Sequence, residues 1–168
     1  MGTRNLTMVI SNGKTKVAQY GQWDGYPSGQ GAAILNFFKK ADLKVFKEKV
    51  DTLPKWITQK EINKLYKDAG HTGGDWINMK VSNKFKAANP QLNRDMGADV
   101  LEFIYNADNP VLLKDDSKFI EDGLFCEWAY VIDLDKNTLS VKCGADKTYS
   151  LLKLPTVKKL AKDCKENE

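Results

Sequence analysis

Hydrophobic and polar positions alternate at the start of the chain. In "TRNLTMVI" and "TKVAQYGQW" the period is two, and Asn12-Gly13 between them is a dipeptide that accepts the positive φ angles of a type I′ turn, so this stretch predicts a β-hairpin. The period then lengthens. "AAILNFFKK" predicts a helix, with Ser28 as its N-cap and Gly29 and Gly31 near the first turn, and "DLKVFKEKV" predicts a second one capped by Asp42. Thr58 and Glu61 have the spacing of a capping box ahead of "EINKLYKDAG", where Ile62, Leu65 and Ala69 share a face and Gly70 ends the helix. "HTGGDW" reads as a loop and "SNKFKAANP" as a short helix. "NRDMGADVLEFIYNAD" reads as a helix capped by Asn93 that buries Val100, Ile104 and Ala107 on one side.

The last third returns to β-patterning. "LFCEWAYVIDLD" is apolar enough for a central strand, "KN" turns the chain and "TLSVKC" brings it back. "YSLLKLP" predicts a short strand or extended segment and "TVKKLAKDCKENE" a terminal helix. Hairpin, helices, hairpin and helix together predict an α+β protein, with two β-hairpins forming antiparallel sheet or sheets packed with helices. A chain of 168 residues suits a single domain spanning 1–168, with a helical middle section at about 42–107.

Composition narrows the function classes. The charge of +4 is modest, and the lysines, mostly set singly among acids, predict no basic helix face of the nucleic-acid-binding kind. Arg4 and Arg94 are the only arginines. Arginine is the usual bidentate reader of guanine and phosphate, so sequence-specific nucleic-acid recognition is disfavoured, while a small anionic ligand stays open. Cys126, Cys143 and Cys164 form no CxxC pair and read as reduced thiols. With one histidine and no paired cysteines, no metal site and no cofactor are expected. The opening residues do not read as a leader, and no apolar run reaches the roughly 18 residues of a membrane span. A cytoplasmic protein with no membrane partner is expected.

The stretches "MGTRNLTMVI…YGQWDGYPSGQG" and "LFCEWAYVIDLD" resemble a family of small proteins encoded by phages and scattered microbial genomes, with no settled activity. That resemblance covers roughly a third of the chain, at its two ends, and implies a phage or mobile-element setting, in which small proteins disable or retune host machinery. A second resemblance is architectural: the strand, hairpin partner, helix and late hairpin are similar to the αββα layers of N-terminal nucleophile hydrolases. It implies Thr3, after Gly2, as a nucleophile and Asp24 as a supporting acid. Met1 and Gly2 precede that threonine, a departure from the pattern.

The densest candidate is "QYGQWDGYPSGQG", residues 19–31. Its glycines let backbone approach a ligand, Tyr20, Trp23 and Tyr26 offer faces to a base or sugar, and Asp24 binds a hydroxyl or amine. Two readings stand: a site for a nucleotide-like ligand or a host protein, lined by Arg4, Gln22, Trp23, Asp24, Tyr26 and Gln30, or an Ω-type loop whose aromatics cap the core. Arg4 alternates with Leu6 and Met8, and on a buried face it needs Asp24 or Glu127 as a partner. Asp24, Glu127 and Thr3 are the catalytic candidates should the cleft hydrolyse an amide or phosphodiester bond. Cys126 reads as an inert strand thiol, His71 as a loop residue, and "DLDKNT" as a hairpin turn in preference to a calcium loop. Asp115, Asp116, Glu121 and Asp122 read as a solvated strand edge, and exposed Trp56 and Trp76 as anchors for a protein partner.

Overall fold

The computed structural model describes residues 2–142 and 146–166, so the Cys143 thiol and the last two residues of the stretch expected as a terminal helix lie outside the described residues. The opening hairpin is formed by β1 (Asn5–Ser11) and β2 (Lys14–Gly21), paired antiparallel, with Asn12 at φ 53° and Gly13 at φ 66° in the turn. The late hairpin is formed by β5 (Trp128–Asp133) and β6 (Thr138–Lys142), and β7 (Lys147–Ser150) adds to its edge. The two hairpins join through β1 and β5, which run parallel from Asn5 opposite Trp128 to Ile10 opposite Asp133. One mixed five-stranded sheet, order β2-β1-β5-β6-β7, results in place of purely antiparallel pairing.

Between the hairpins lie α1 (Ala32–Lys40), α2 (Leu43–Thr52), α3 (Gln59–Asp68), α4 (Met79–Ala88) and α5 (Asp99–Asn106), with α6 (Val157–Asp163) near the end. Two three-residue strands unforeseen in the sequence pattern, β3 (Pro54–Trp56) and β4 (Val111–Leu113), pair parallel and close off the segment that carries α3 and α4. The molecule is of the α+β class. Its layers are helices on one sheet face and a thin cover on the other; the αββα likeness meets one five-stranded sheet and a ribbon too short for a stacked second layer.

Alternation on β1 sets the two faces. Val9 and Val17 face α1, α2, α5 and α6 together with Tyr130, Ile132, Leu139 and Val141, packing Ile34, Leu35, Phe46, Val100, Ile104 and Leu160 into the main core. Each such side chain buried stabilises by about 1.5–3 kcal/mol. Leu6, Met8, Ala18 and Ala129 face the other way, onto Phe119, Ile120 and Cys126. A third cluster, Ala69, Val81, Phe85 and Leu92 with Leu65 and Tyr66, joins α3 to α4, and the rings of Tyr66 and Phe85 stack at 4.0 Å.

Local capping follows the sequence closely. Asp42 accepts the Lys44 and Val45 amides, and Thr58 and Glu61 form both halves of the capping box. Where the fold departs, a distant partner is responsible. Ser28 does not cap α1: a π-turn over Pro27–Gly31 precedes the helix, and the Ser28 amide and hydroxyl go to the Glu166 carboxylate. Asn93 does not cap α5, because Gly97 at φ 48° breaks the helical path just before the Ala98 cap position and donates its amide to the Tyr20 carbonyl on the β2 edge. The helix predicted at "SNKFKAANP" begins earlier, at an Asn78 cap. Residues 124–127 are not strand, since Asp122 accepts the Leu124 and Phe125 amides and turns the chain. The acidic stretch expected as a strand edge is a 3₁₀ turn, Ser117–Glu121. No helix among the described residues is long and apolar enough to cross a membrane.

Candidate functional site

The thin cover leaves one end of the second sheet face open. Leu6 pairs with Tyr20 across the hairpin, and Arg4 continues the Leu6–Met8 side, so both Arg4 and Tyr20 point toward the 3₁₀ turn. The turn cannot reach over both. A cavity of about 390 Å³ remains, walled by Arg4, Tyr20, Phe119 and Phe125. Its further wall is the strap that follows α4 and the residues after β4, which supply Asn93, Arg94 and Lys114. Asp116 and Asp122 complete the rim.

Both arginines of the chain therefore meet in one cavity, with Lys114 as the third cation. Among the described residues none of the three takes part in an ion pair. The guanidiniums lie on aromatic faces instead: the Arg4 Cζ sits 4.6 Å from the Phe125 ring centre and the Arg94 Cζ 5.6 Å from that of Tyr20. Such stacking fixes the plane of a guanidinium while leaving its N–H groups to bind. Tyr20 and Phe119 meet edge to face at 5.0 Å, forming an apolar wall beside the cations.

The two carboxylates are partly committed. Asp116 Oδ2 accepts the Tyr20 amide at 3.0 Å, and Asp122 Oδ1 accepts the Leu124 and Phe125 amides at 3.1 and 3.0 Å. Each has a second oxygen to offer a hydroxyl or an amine. The arrangement suits an anion joined to a ring with polar substituents better than a bare polyphosphate.

The residues singled out in the 19–31 loop separate. Tyr20 lines the cavity, whereas Gln22, Trp23, Asp24, Tyr26 and Gln30 do not. The Gln22 and Trp23 amides are held by Asp95 Oδ1 at 2.7 and 3.2 Å, and Gln22 Oε1 accepts the Tyr20 hydroxyl. Asp24 stands exposed at φ 53°, its carbonyl accepting the Gln30 amide, and Gln30 Oε1 accepts the Ala98 amide at 2.7 Å. Tyr26 is half-exposed, its ring 6.5 Å from Trp128. Tyr130 donates its buried hydroxyl to the Gly25 carbonyl at 2.7 Å. The loop's glycines make close approaches: a Cβ at Gly25 would lie 2.7 Å from the Thr3 carbonyl oxygen. The loop is an inward-bonded brace that holds Tyr20 at the cavity.

Arg4 finds neither Asp24 nor Glu127 as an ion partner; Glu127 Oε1 accepts the Arg4 backbone amide at 3.2 Å instead. Thr3 is buried and its carbonyl accepts the Gly25 amide. Burial, with Asp122 adding to it, pushes the Cys126 thiol up to about 11, so it is protonated at neutral pH and a poor nucleophile. His71 sits in the loop after α3, and Asp133 Oδ1 accepts the Asp135 and Lys136 amides in the β5–β6 turn. No group of three metal-ligating side chains comes together among the described residues.

Sequence reasoning singled out Arg4 but passed over Lys114, Phe119 and Phe125 as contributors. Arg94 carried the one usable signal, its rarity: two arginines in a chain otherwise served by lysine mark positions where a planar fork is needed. Comparison with known protein families, with curated proteins and with solved structures finds no match to this chain.

Proposed function

We propose that this is a phage-type accessory protein of the host-cell cytoplasm that captures a small anionic, ring-bearing ligand of the nucleotide kind in the Arg4–Arg94 cavity. It acts by sequestering that ligand or by inhibiting host machinery. The observation that carries the reading is the convergence of three cations, unpaired among the described residues, on an aromatic-walled cavity. A volume of about 390 Å³ falls within the usual range for small-molecule sites. Arg4 and Arg94 would hold the anion, the Tyr20–Phe119 wall the ring, and Asp116 or Asp122 a hydroxyl or exocyclic amine. The phage setting rests on the resemblance of the two terminal motifs. A carboxylate-assisted hydrolase has no comparable observation behind it, since Asp24 and Glu127 lie outside the cavity lining.

Titration calorimetry with nucleoside mono- and diphosphates, cyclic nucleotides and inorganic phosphate tests the reading. Arg94 is exposed and forms no ion pair among the described residues, so Arg94→Ala should leave the unfolding temperature unchanged while weakening nucleotide binding at least about tenfold. Absence of binding heat for every nucleotide with the unaltered protein would overturn the proposal.

A further inference from the structure

The segment between β3 and β4 carries a surface unlike the rest of the molecule. On α3, Lys60, Lys64 and Lys67 recur at i, i+4 and i+7, opposite Leu65 and Tyr66, which pack inward. The expectation of no basic helix face fails here, because helical periodicity collects lysines that are interleaved with other residues along the chain. Those three line a broad concavity with Thr58, Glu61 and Asn63. Lys80 and Lys84 stand at i, i+4 on α4.

None of the ion pairs among the described residues involves a lysine of α3 or α4, so these lysines are unneutralised. Glu61, the acid set among them, is consumed in the capping box, which also holds its carboxyl below the usual range through the Thr58 amide and hydroxyl. Between α3 and α4, after three positive-φ glycines, Trp76 is 91% exposed. A large aromatic side chain left open in the same segment as a row of free cations is an unusual pairing.

We infer that the α3–α4 segment docks a single-stranded nucleic acid, read without sequence specificity: the lysine row tracks the phosphates and Trp76 stacks on a base. Lysines four apart on a helix are spaced about 6 Å along the axis, a repeat that suits successive backbone phosphates. Lysine in place of arginine is consistent with charge contacts that do not read bases. An acidic protein surface would also meet the charge, but it would not need an exposed indole in the same segment as an extended cationic row.

Fluorescence anisotropy with a labelled oligo-dT of about twenty nucleotides tests this. Binding should weaken with salt at a logarithmic slope of about −3, as expected for release of four or five counterions from a single strand. Tryptophan emission should be quenched on binding, and the quench lost in Trp76→Phe. Trp76→Ala should weaken binding by about fivefold or more, and Lys64→Glu with Lys67→Glu by tenfold or more. Arg94→Ala, at the cavity, should leave oligonucleotide binding intact, so this inference and the ligand reading fail separately. Absence of an anisotropy change at low salt would overturn it. So would equal affinity for polyglutamate or anionic vesicles, or binding indifferent to Trp76.

Discussion

Tyr130 shows how much a single buried hydroxyl can hold. It is fully buried on β5, and its bond to the Gly25 carbonyl ties the 19–31 brace to the sheet. Tyr130→Phe keeps the ring's packing and leaves that carbonyl without this donor, so urea denaturation should show a loss of about 1–3 kcal/mol. If the brace then loosens, Tyr20 loses its placement and nucleotide affinity falls with stability. At this scale the sequence was legible wherever the partner is local. Asn12-Gly13, Asp42 and the Thr58–Glu61 pair act within a few residues of themselves and were readable from spacing alone. Ser28 and Asn93 were misassigned because Glu166 and the β2 edge, far along the chain, decide their surroundings.

Among the elements, the turn after β5 is a junction. Asp135 accepts the Asn12 and Gly13 amides at 3.0 and 2.9 Å and the Lys47 ammonium at 2.9 Å, joining the β1–β2 turn, the β5–β6 turn and α2. The Gly13 amide first, then the Lys47 ammonium and the Asn12 amide, hold its carboxyl down at about 2. A depressed carboxyl stabilises the fold fully above the ordinary unfolded range near pH 3.9, and this contribution is lost as pH falls through about 2. Thermal melts should therefore show Asp135→Asn less stable than the parent at pH 6, with the gap closing between about pH 4 and pH 2. A gap that persists unchanged at pH 2 would contradict this account. The candidate cavity was half legible at the scale of elements. Alternation placed Arg4 beside Leu6 and Met8, but the strap carrying Arg94 and the residues after β4 carrying Lys114 reach the cavity through backbone bonds of Gly97 and Asp116 to β2, which leave no local pattern.

The whole molecule is uneven in how deeply it is bonded. β1 lies between two partners with Leu6, Val9 and Thr7 fully buried, whereas α3 has no fully buried side chain and rests on the small cluster around Phe85. Native-state hydrogen exchange should resolve two levels, with α3 and α4 amides opening well before those of β1 and β5. A single common opening energy would contradict that division. The overall class was readable from the order of patterned segments. The parallel joint between hairpins was not, since neither hairpin's alternation specifies which edge it offers to the other.

That joint has a consequence for synthesis on the ribosome. The contact between Arg4 and Glu127 spans 123 positions, and β1 gains its second neighbour only when β5 exists. The first hairpin must then wait until β5 is made with an unpaired edge and with Leu6 and Met8 uncovered. A nascent chain of this design offers chaperones a long-lived target in that hairpin, and synthesis speed through the lysine-rich centre sets how long that window stays open.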